Sequence, residues 1–436
     1  MTLIKTSILS FIATVIKMLA ALVINKAVAV YVGPTGLAMI GQFQNFTQLV
    51  MTVAQGAINT GVTKYTAEYG KEDKRISILF STASKISLFS SVIVGAGIIV
   101  FSQIASLQFL KSDEYAYIFV IFGFTIVLFV INGLLLSILN GLKEIKTWIS
   151  INIIQSVYSL IFTTILVVWL GLDGALIGLV TNQSVVLLVV LWMLRKHPVI
   201  KLANFNAAFN KPEAKKLMGF SVMALTSAVT MPMSHLIVRN YIGETLSWEE
   251  AGYWQAVWYI STMYLMVVTT TLSIYFLPKL SELTCKVELK KELLRGYKII
   301  MPIVIVMALS IFFLKEFIIW LLFTEDFILM SELFRWQLVG DVLKIASWLL
   351  GYLMLAKAMT KTFIGTEIIF SISFVVLSIF SVDEFGVVGI TYAFSLNYFI
   401  YFIAFFIHNS FPILLFKMND NCSIFFLAKI LFYYLG

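Results

Sequence analysis

The sequence predicts an all-α integral membrane protein, with about twelve transmembrane helices in two pseudo-symmetric six-helix bundles around a central cavity. Composition, span length and internal repetition predict it. The 436 residues are 60% hydrophobic and only 12% charged, and mean hydropathy is +0.95. A soluble domain is about a quarter charged. Apolar stretches of about 17 to 25 residues, enough to cross a hydrocarbon core of about 30 Å, recur along the whole chain. A β-barrel would instead show strands of about 10 residues with alternating polarity, and the sequence has none.

The expected spans are 7–30, 37–60, 82–105, 116–139, 148–170, 173–194, 217–239, 252–277, 299–314, 333–356, 362–381 and 387–412. The ninth is short, and the apolar piece after it, 317–323, reads as an interfacial helix. The first resembles a secretory leader, with Lys5 before an apolar run and "AVA" at 27–29. Lys17 interrupts that run, which is too long for a leader, so it reads as an uncleaved span. The longest polar connection, 195–216, lies at the midpoint. It sets an N-terminal six-helix bundle (1–200), a cytoplasmic linker (201–216) and a C-terminal six-helix bundle (217–412). An apolar tail, 413–436, is too short to span and reads as cytoplasmic or interfacial.

The net charge of +8 invites a nucleic-acid reading, which the distribution opposes. Of 31 Lys and Arg, 23 fall on one side, concentrated at 64–75, 195–216 and 279–298. Lys111, Arg239 and Lys315 fall opposite, beside acidic connections such as "ETLSWEE" and "TEDF". Lys17, Lys26, Lys85, Arg335 and Lys344 lie within spans. This is the positive-inside pattern, with both termini cytoplasmic. Cys285 and Cys422 then face the cytoplasm, where thiols stay reduced. No disulfide, metal or cofactor motif is present.

The halves echo one another. Lys26 pairs with Arg239 at an offset of 213, Glu68 with Glu282 and Lys143 with Lys357 at 214, and Gly174 with Gly386 at 212. Six spans per half make the repeat parallel, with its axis along the membrane normal. That geometry suits alternating access by rocking of two lobes.

Several spans carry polar residues that hydrocarbon penalises unless they are satisfied. In the second span, Asn45, Gln48, Thr52, Gln55 and Asn59 fall within an arc of about 80° on an ideal helix. They line a wet cavity or bond across packed helices; carboxamides suit sugars, since each offers donors and an acceptor. Lys17 sits mid-span, where a charge costs about 2.5–3.5 kcal/mol even on the lenient insertion scale. It reads as cavity-facing. Lys26, nearly opposite and close to the boundary, either snorkels or serves the cavity. In the tenth span, "WQLVGDVLKIASWLLGY" sets Gln337, Asp341, Lys344, Trp348 and Tyr352 within about 80°. Asp341 and Lys344 form either a closed ion pair at i, i+3 or an anion and proton-coupling site. His235, four residues before Arg239, and Glu367 are further coupling candidates. Trp254 and Trp258 read as an interfacial aromatic belt in preference to a ligand-stacking pair. The interior is thus cationic and carboxamide-rich, matched to an anionic, hydroxylated ligand.

The stretches "VGPTGLA" (32–38), "GVTKY" (61–65), "SWEEAGYWQAV" (247–257), "FLPKLSEL" (276–283) and "WQLVGDVLK" (336–344) resemble Wzx-type flippases. These form the polysaccharide-export branch of the multidrug/oligosaccharidyl-lipid/polysaccharide exporter superfamily, here nearest the enterobacterial common antigen and O-antigen members. The resemblance runs from about residue 5 to 412. It implies a flippase of the bacterial inner membrane that moves an undecaprenyl-pyrophosphate-linked oligosaccharide, such as an O-antigen repeat unit, to the periplasmic leaflet. It gives Lys17, Lys26, Arg239, Asp341 and Lys344 a role in a charged central cavity, where the four cations hold pyrophosphate. The carboxamides, Thr52, Gln337, Trp348 and Tyr352 would then face glycan. Implied partners are the lipid-linked substrate, membrane lipid and a glycan polymerase complex, with no nucleic acid and no cofactor. The alternatives are an enterobacterial common antigen flippase and a cation-coupled multidrug exporter. The latter wants intramembrane acids, and only Asp341 and Glu367 are available. A membrane enzyme or a channel lacks the long outer loop, acid/base cluster or filter it would need. No G-x-x-x-x-G-K-[ST] loop exists to bind nucleotide.

Overall fold

The computed structural model describes residues 3–70, 75–283, 285–357 and 359–410, and every regular element among them is helical. In chain order these are α1 (Leu3–Tyr31), α2 (Gly33–Ala54), α3 (Asn59–Tyr69), α4 (Arg75–Val100), α5 (Ser102–Leu110), α6 (Ala116–Gly141) and α7 (Ile145–Leu194). There follow α8 (Lys211–Thr245), α9 (Trp248–Thr271), α10 (Leu277–Glu282), α11 (Lys286–Phe313), α12 (Lys315–Leu322), α13 (Phe334–Ala356), α14 (Thr360–Phe385) and α15 (Val387–Ser410). The expected tail, 413–436, and Cys422 lie outside the described residues.

The twelve expected spans fall on α1, α2, α4, α6, the two arms of α7, α8, α9, α11, α13, α14 and α15. Eight helices among the described residues are long and apolar enough to cross a membrane. The long helices outside that set are α2, α8 and α9, which carry the carboxamide stripe, His235 with Arg239, and Glu249 with Glu250.

Several boundaries differ from the sequence expectation. The second span does not run to residue 60. Gly56 takes φ 64°, and the N–H groups of Gly56 and Ala57 return to the carbonyls of Val53 and Thr52. This paired closure ends α2 at Ala54. The third span hides a second helix, α5, because no polar residue separates it from α4. The ninth is not short: its polar start, "KVELKKELLRGYK", is helical too, so α11 has 28 residues. The piece at 317–323 is the separate helix α12. At the midpoint, Asn210 accepts the Glu213 N–H at 2.9 Å and Pro212 fills the first turn, so α8 starts at Lys211.

By internal packing the chain forms two compact units, Met1–Ala256 with Phe317–Leu329, and Val257–Glu316 with residues from Met330 onward. In the first, α1 lies along α7, α6 packs on α4 and α7, and α2 packs on α8. In the second, α13 packs on α11 and α15, and α14 on α15.

The repeat is visible in the backbone at a register of 215. Gly171 kinks α7 at φ 57°, and Gly386 divides α14 from α15 at φ 61°. Only glycine adopts these angles, with ψ −126° and −151°, without strain. Three residues later a Cβ on Gly174 would meet the Leu166 carbonyl oxygen at 1.9 Å, and one on Gly389 would meet that of Ser381 at 1.9 Å. Glu144 and Met359 begin their helices with φ/ψ of −78°/57° and −78°/60°. The sequence pairing of Gly174 with Gly386 is thus corrected to Gly171 with Gly386 and Gly174 with Gly389. The slip arose because "DGALIG" and "EFGVVG" look alike one turn out of step.

Candidate functional site

Each unit buries a polar cluster. In the first, Arg239 of α8 is 1% exposed. Its guanidinium donates to Gln255 Oε1 and, at 3.4 Å, to Gln42 Oε1. It also lies 5.3 Å from the Trp254 ring centroid, a cation–π distance. The Gln42 amide donates to the Leu236 carbonyl at 3.2 Å, and the His235 ring lies 5.2 Å from that of Trp254. Gly41 makes room: a Cβ there would stand 2.4 Å from Gln255 Cδ. Carboxamides and an aromatic face are among the groups that hold this preformed cation.

The other cations of this unit are placed differently. Lys17 is exposed on α1. Lys26 is half-buried, and its ammonium donates to the carbonyls of Trp320, at 3.3 Å, and Phe323. It caps the C-terminal end of α12, where a positive charge meets orphan carbonyls and the negative end of the helix dipole.

The carboxamide stripe is divided by the end of α2. Asn45 is half-buried, Gln48 is exposed, and Thr52 donates to the Gln48 carbonyl at 2.9 Å. Past the break, Asn59 donates to Gln55 Oε1 at 2.8 Å. This pair packs over Gly133 of α6, where a Cβ would meet Gln55 Nε2 at 3.2 Å. Asn59 starts α3, so the five residues do not share one helical face.

In the second unit, Asp341 of α13 is wholly buried. It accepts from the Tyr264 hydroxyl at 2.9 Å and from Gln337 Nε2 at 3.4 Å, with Ser261 as a further donor. Lys344 is 7% exposed. Its ammonium lies 4.8 Å from the Trp258 centroid, 5.0 Å from Trp348, 5.9 Å from Phe394 and 5.8 Å from Tyr398. Among the described residues no carboxylate oxygen comes within 4.0 Å of it. The closed Asp341–Lys344 ion pair is therefore not formed: hydroxyl and amide donors satisfy the acid, and aromatic faces hold the base. Gly340 permits this packing, since a Cβ there would strike Phe394 Cδ1 at 2.3 Å. Tyr352 bonds Ser273 at 2.8 Å, and Glu367 is half-buried on α14.

A model of the family described as "Polysaccharide biosynthesis protein" matches residues 3–284. Two curated relatives named "Lipid III flippase", from Escherichia coli (strain K12) and Shigella flexneri, are each 30% identical over 405 residues. The match covers 92% of this chain and 97% of theirs. The chain belongs to the polysaccharide biosynthesis protein family. The resemblance to Wzx-type flippases is borne out, and this family member is a transporter, not an enzyme. Solved structures give the same fold. An inward-facing multidrug resistance MATE transporter of the MOP superfamily superposes with TM-score 0.77 at 15% identity, over 93% of this chain and 96% of that one. A MOP transporter from Pyrococcus furiosus, described as having a binding pocket of reverse polarity, gives 0.67 at 16%, over 94% and 95%.

Several groups of the two clusters in this family member escaped the sequence reading. Gln42 lies off the carboxamide arc, and Gln255, Ser261, Tyr264, Phe394 and Tyr398 come from other helices. The aromatic-belt reading is corrected for Trp254, which is 1% exposed against Arg239 and His235.

Proposed function

We propose that the protein moves an undecaprenyl-pyrophosphate-linked oligosaccharide, an O-antigen repeat unit, from the cytoplasmic to the periplasmic leaflet of the bacterial inner membrane. Alternating access of two lobes around a central cavity would carry it. The observation that carries this reading is the pair of buried cations, Arg239 and Lys344, held by carboxamides and aromatic rings on a transporter scaffold. Guanidinium and ammonium groups are the side chains that meet a pyrophosphate. Lys17, exposed on α1, and Lys26 extend the series to other depths. Asn45, Gln48, Thr52, Gln55, Asn59, Gln337, Trp348 and Tyr352 offer carboxamides, hydroxyls and rings to glycan. A proton arriving on Asp341, with His235 and Glu367 as further carriers, would change the field at Lys344 and couple transport to a gradient. Both termini would be cytoplasmic.

A second reading, the glycan of enterobacterial common antigen, is favoured by the "Lipid III flippase" relatives. Reconstituted vesicles carrying each labelled lipid-linked glycan separate the two. The expected result is leaflet transfer of one without a change in glycan length. Transfer of neither, or a lengthened glycan, would sink the proposal.

A further inference from the structure

The aromatic cage around Lys344 has a use that anion binding does not require. Four rings from three helices surround one ammonium: Trp258 of α9, Trp348 of α13, and Phe394 and Tyr398 of α15. All four centroids lie within cation–π reach of about 6 Å. A lysine whose task is to meet an anion needs no such enclosure; a few rings beside its stem would do. Converging aromatic faces are the recognition device for alkylammonium ions. Two acids share its unit, Asp341 on α13, wholly buried, and Glu367 on α14, half-buried. Asp341 is held away from direct pairing by Tyr264 and Gln337.

We propose that this cage is an organic-cation site occupied at rest by the protein's own Lys344, and that Lys344 thereby determines specificity by excluding cationic ligands. A tethered ammonium competes at an effective concentration that free cations do not reach, on the order of millimolar or above. It also offsets charge that would otherwise favour a free cation. With Lys344 in place, its ammonium fills the ring of aromatics and offsets one of the two nearby acids. Without it, the same groups have the composition of a cation binder. The inference goes beyond the flippase reading and does not depend on it.

The test is tetramethylammonium binding to detergent-purified full-length protein, read by calorimetry and by thermal shift. Lys344→Ala should bind at least about tenfold more tightly than wild type, a shift of about 1.4 kcal/mol. Lys344→Arg, which keeps a tethered cation, should stay at the wild-type level. Adding Trp258→Ala to Lys344→Ala should abolish the gained binding. Folded Lys344→Ala that binds no better than wild type would overturn the proposal, as would gained binding that survives Trp258→Ala. Should Lys344→Ala not fold, the wild type decides. With 13C-labelled lysine, the Lys344 ε-methylene should resonate upfield of the other lysines and move back in Trp258→Ala. An ordinary ε-methylene shift would overturn the cage.

Discussion

Arg239→Met separates a binding cation from a structural one. The substitution keeps an unbranched, flexible stem and removes the charge and the fork. The structure sets the stability effect. The bond to Gln255 contributes about 1.5–3 kcal/mol for a charged donor, and the 3.4 Å contact to Gln42 less, since it is beyond a strong bond. The Trp254 contact adds about 0.5–2 kcal/mol. Against these stands the cost of burying a guanidinium that is 1% exposed, several kcal/mol per ion, which methionine does not incur. The two sides nearly cancel, so the loss of stability should be no more than about 2 kcal/mol. Transport should respond differently. Losing one charge-assisted contact to a phosphate, at about 1.5–3 kcal/mol, weakens substrate handling roughly 10- to 150-fold. The assay is initial leaflet-transfer rate in vesicles at substrate below saturation, normalised to folded protein, alongside thermal unfolding in detergent. Transfer within about twofold of wild type would refute the reasoning and make Arg239 a packing residue.

The other predictions test the stripe, the repeat and the surface. Gln48→Leu, at an exposed position of α2, should lower glycan transfer and leave thermal stability unchanged. Gln55→Leu breaks the bond to Asn59 and should cost about 1 kcal/mol in unfolding as well as lower transfer per folded molecule; undiminished transfer in either variant would remove that carboxamide from the glycan path. Gly171→Ala and Gly386→Ala should each destabilise by about 1–3 kcal/mol, measured by thermal unfolding, and one silent member would break the equivalence of the kinks. The Lys111 ammonium, 2.8 Å from Glu244, holds that carboxyl below its ordinary 4.5. The folded-state value is depressed, so this contribution is complete above pH 4.5 and lost as pH falls through the lower folded value. Wild type and Lys111→Gln should therefore differ near neutral pH, converge in acid, and differ less in high salt. A gap that widened in acid would contradict the assignment.

The fold was legible because span length and hydropathy are one-dimensional properties, and the twelve long helical segments fall where they indicated. What sequence missed were events that hydropathy does not record. The end of α2 at "AQGA" is a backbone closure around Gly56, set within a stretch whose length and mean hydropathy read as one continuous span. The boundary between α4 and α5 at Phe101 is marked only by Ser102 and Gln103, which the flanking apolar residues outweigh in any span-length window. The cluster residues divide the same way. Helical arcs correctly grouped Gln337, Asp341 and Lys344, because these share α13. They did not show Gln42 with Arg239, 197 positions apart, or Trp258 and Tyr398 around Lys344. The i, i+3 spacing suggested an ion pair because it fixes Cβ positions only. A lysine stem reaches well beyond its Cβ, and here the rings of α9 and α15 offer the nearer partners.

The repeat also shows which of these residues belong to chemistry and which to architecture. Shifted by 215, Gln337, Asp341 and Lys344 fall on Phe122, Ile126 and Phe129 of α6. The first three are 0%, 0% and 7% exposed, and the second three 1%, 0% and 6%. The two halves therefore bury the same stripe to the same depth, and the N-terminal half does so with hydrocarbon and aromatic groups alone. Packing at this position needs no polar group, and an uncompensated charge there would cost several kcal/mol. The acid and base of α13 are thus additions to a frame that stands without them. Replacing Asp341 alone would strand the Tyr264 hydroxyl, at about 1–3 kcal/mol, and would confuse the two roles. The cleaner change is Gln337→Met, Asp341→Val, Lys344→Met, Tyr264→Phe and Ser261→Ala together, which removes the acid, the base and the acid's named donors with little change in total volume. Buried charges exchanged for well-packed apolar groups are commonly neutral or stabilising. The expected protein folds, melts at or above the wild-type temperature, and transfers no lipid-linked glycan. Failure to fold would make the charged cluster part of the architecture; undiminished transfer would remove it from the transport path.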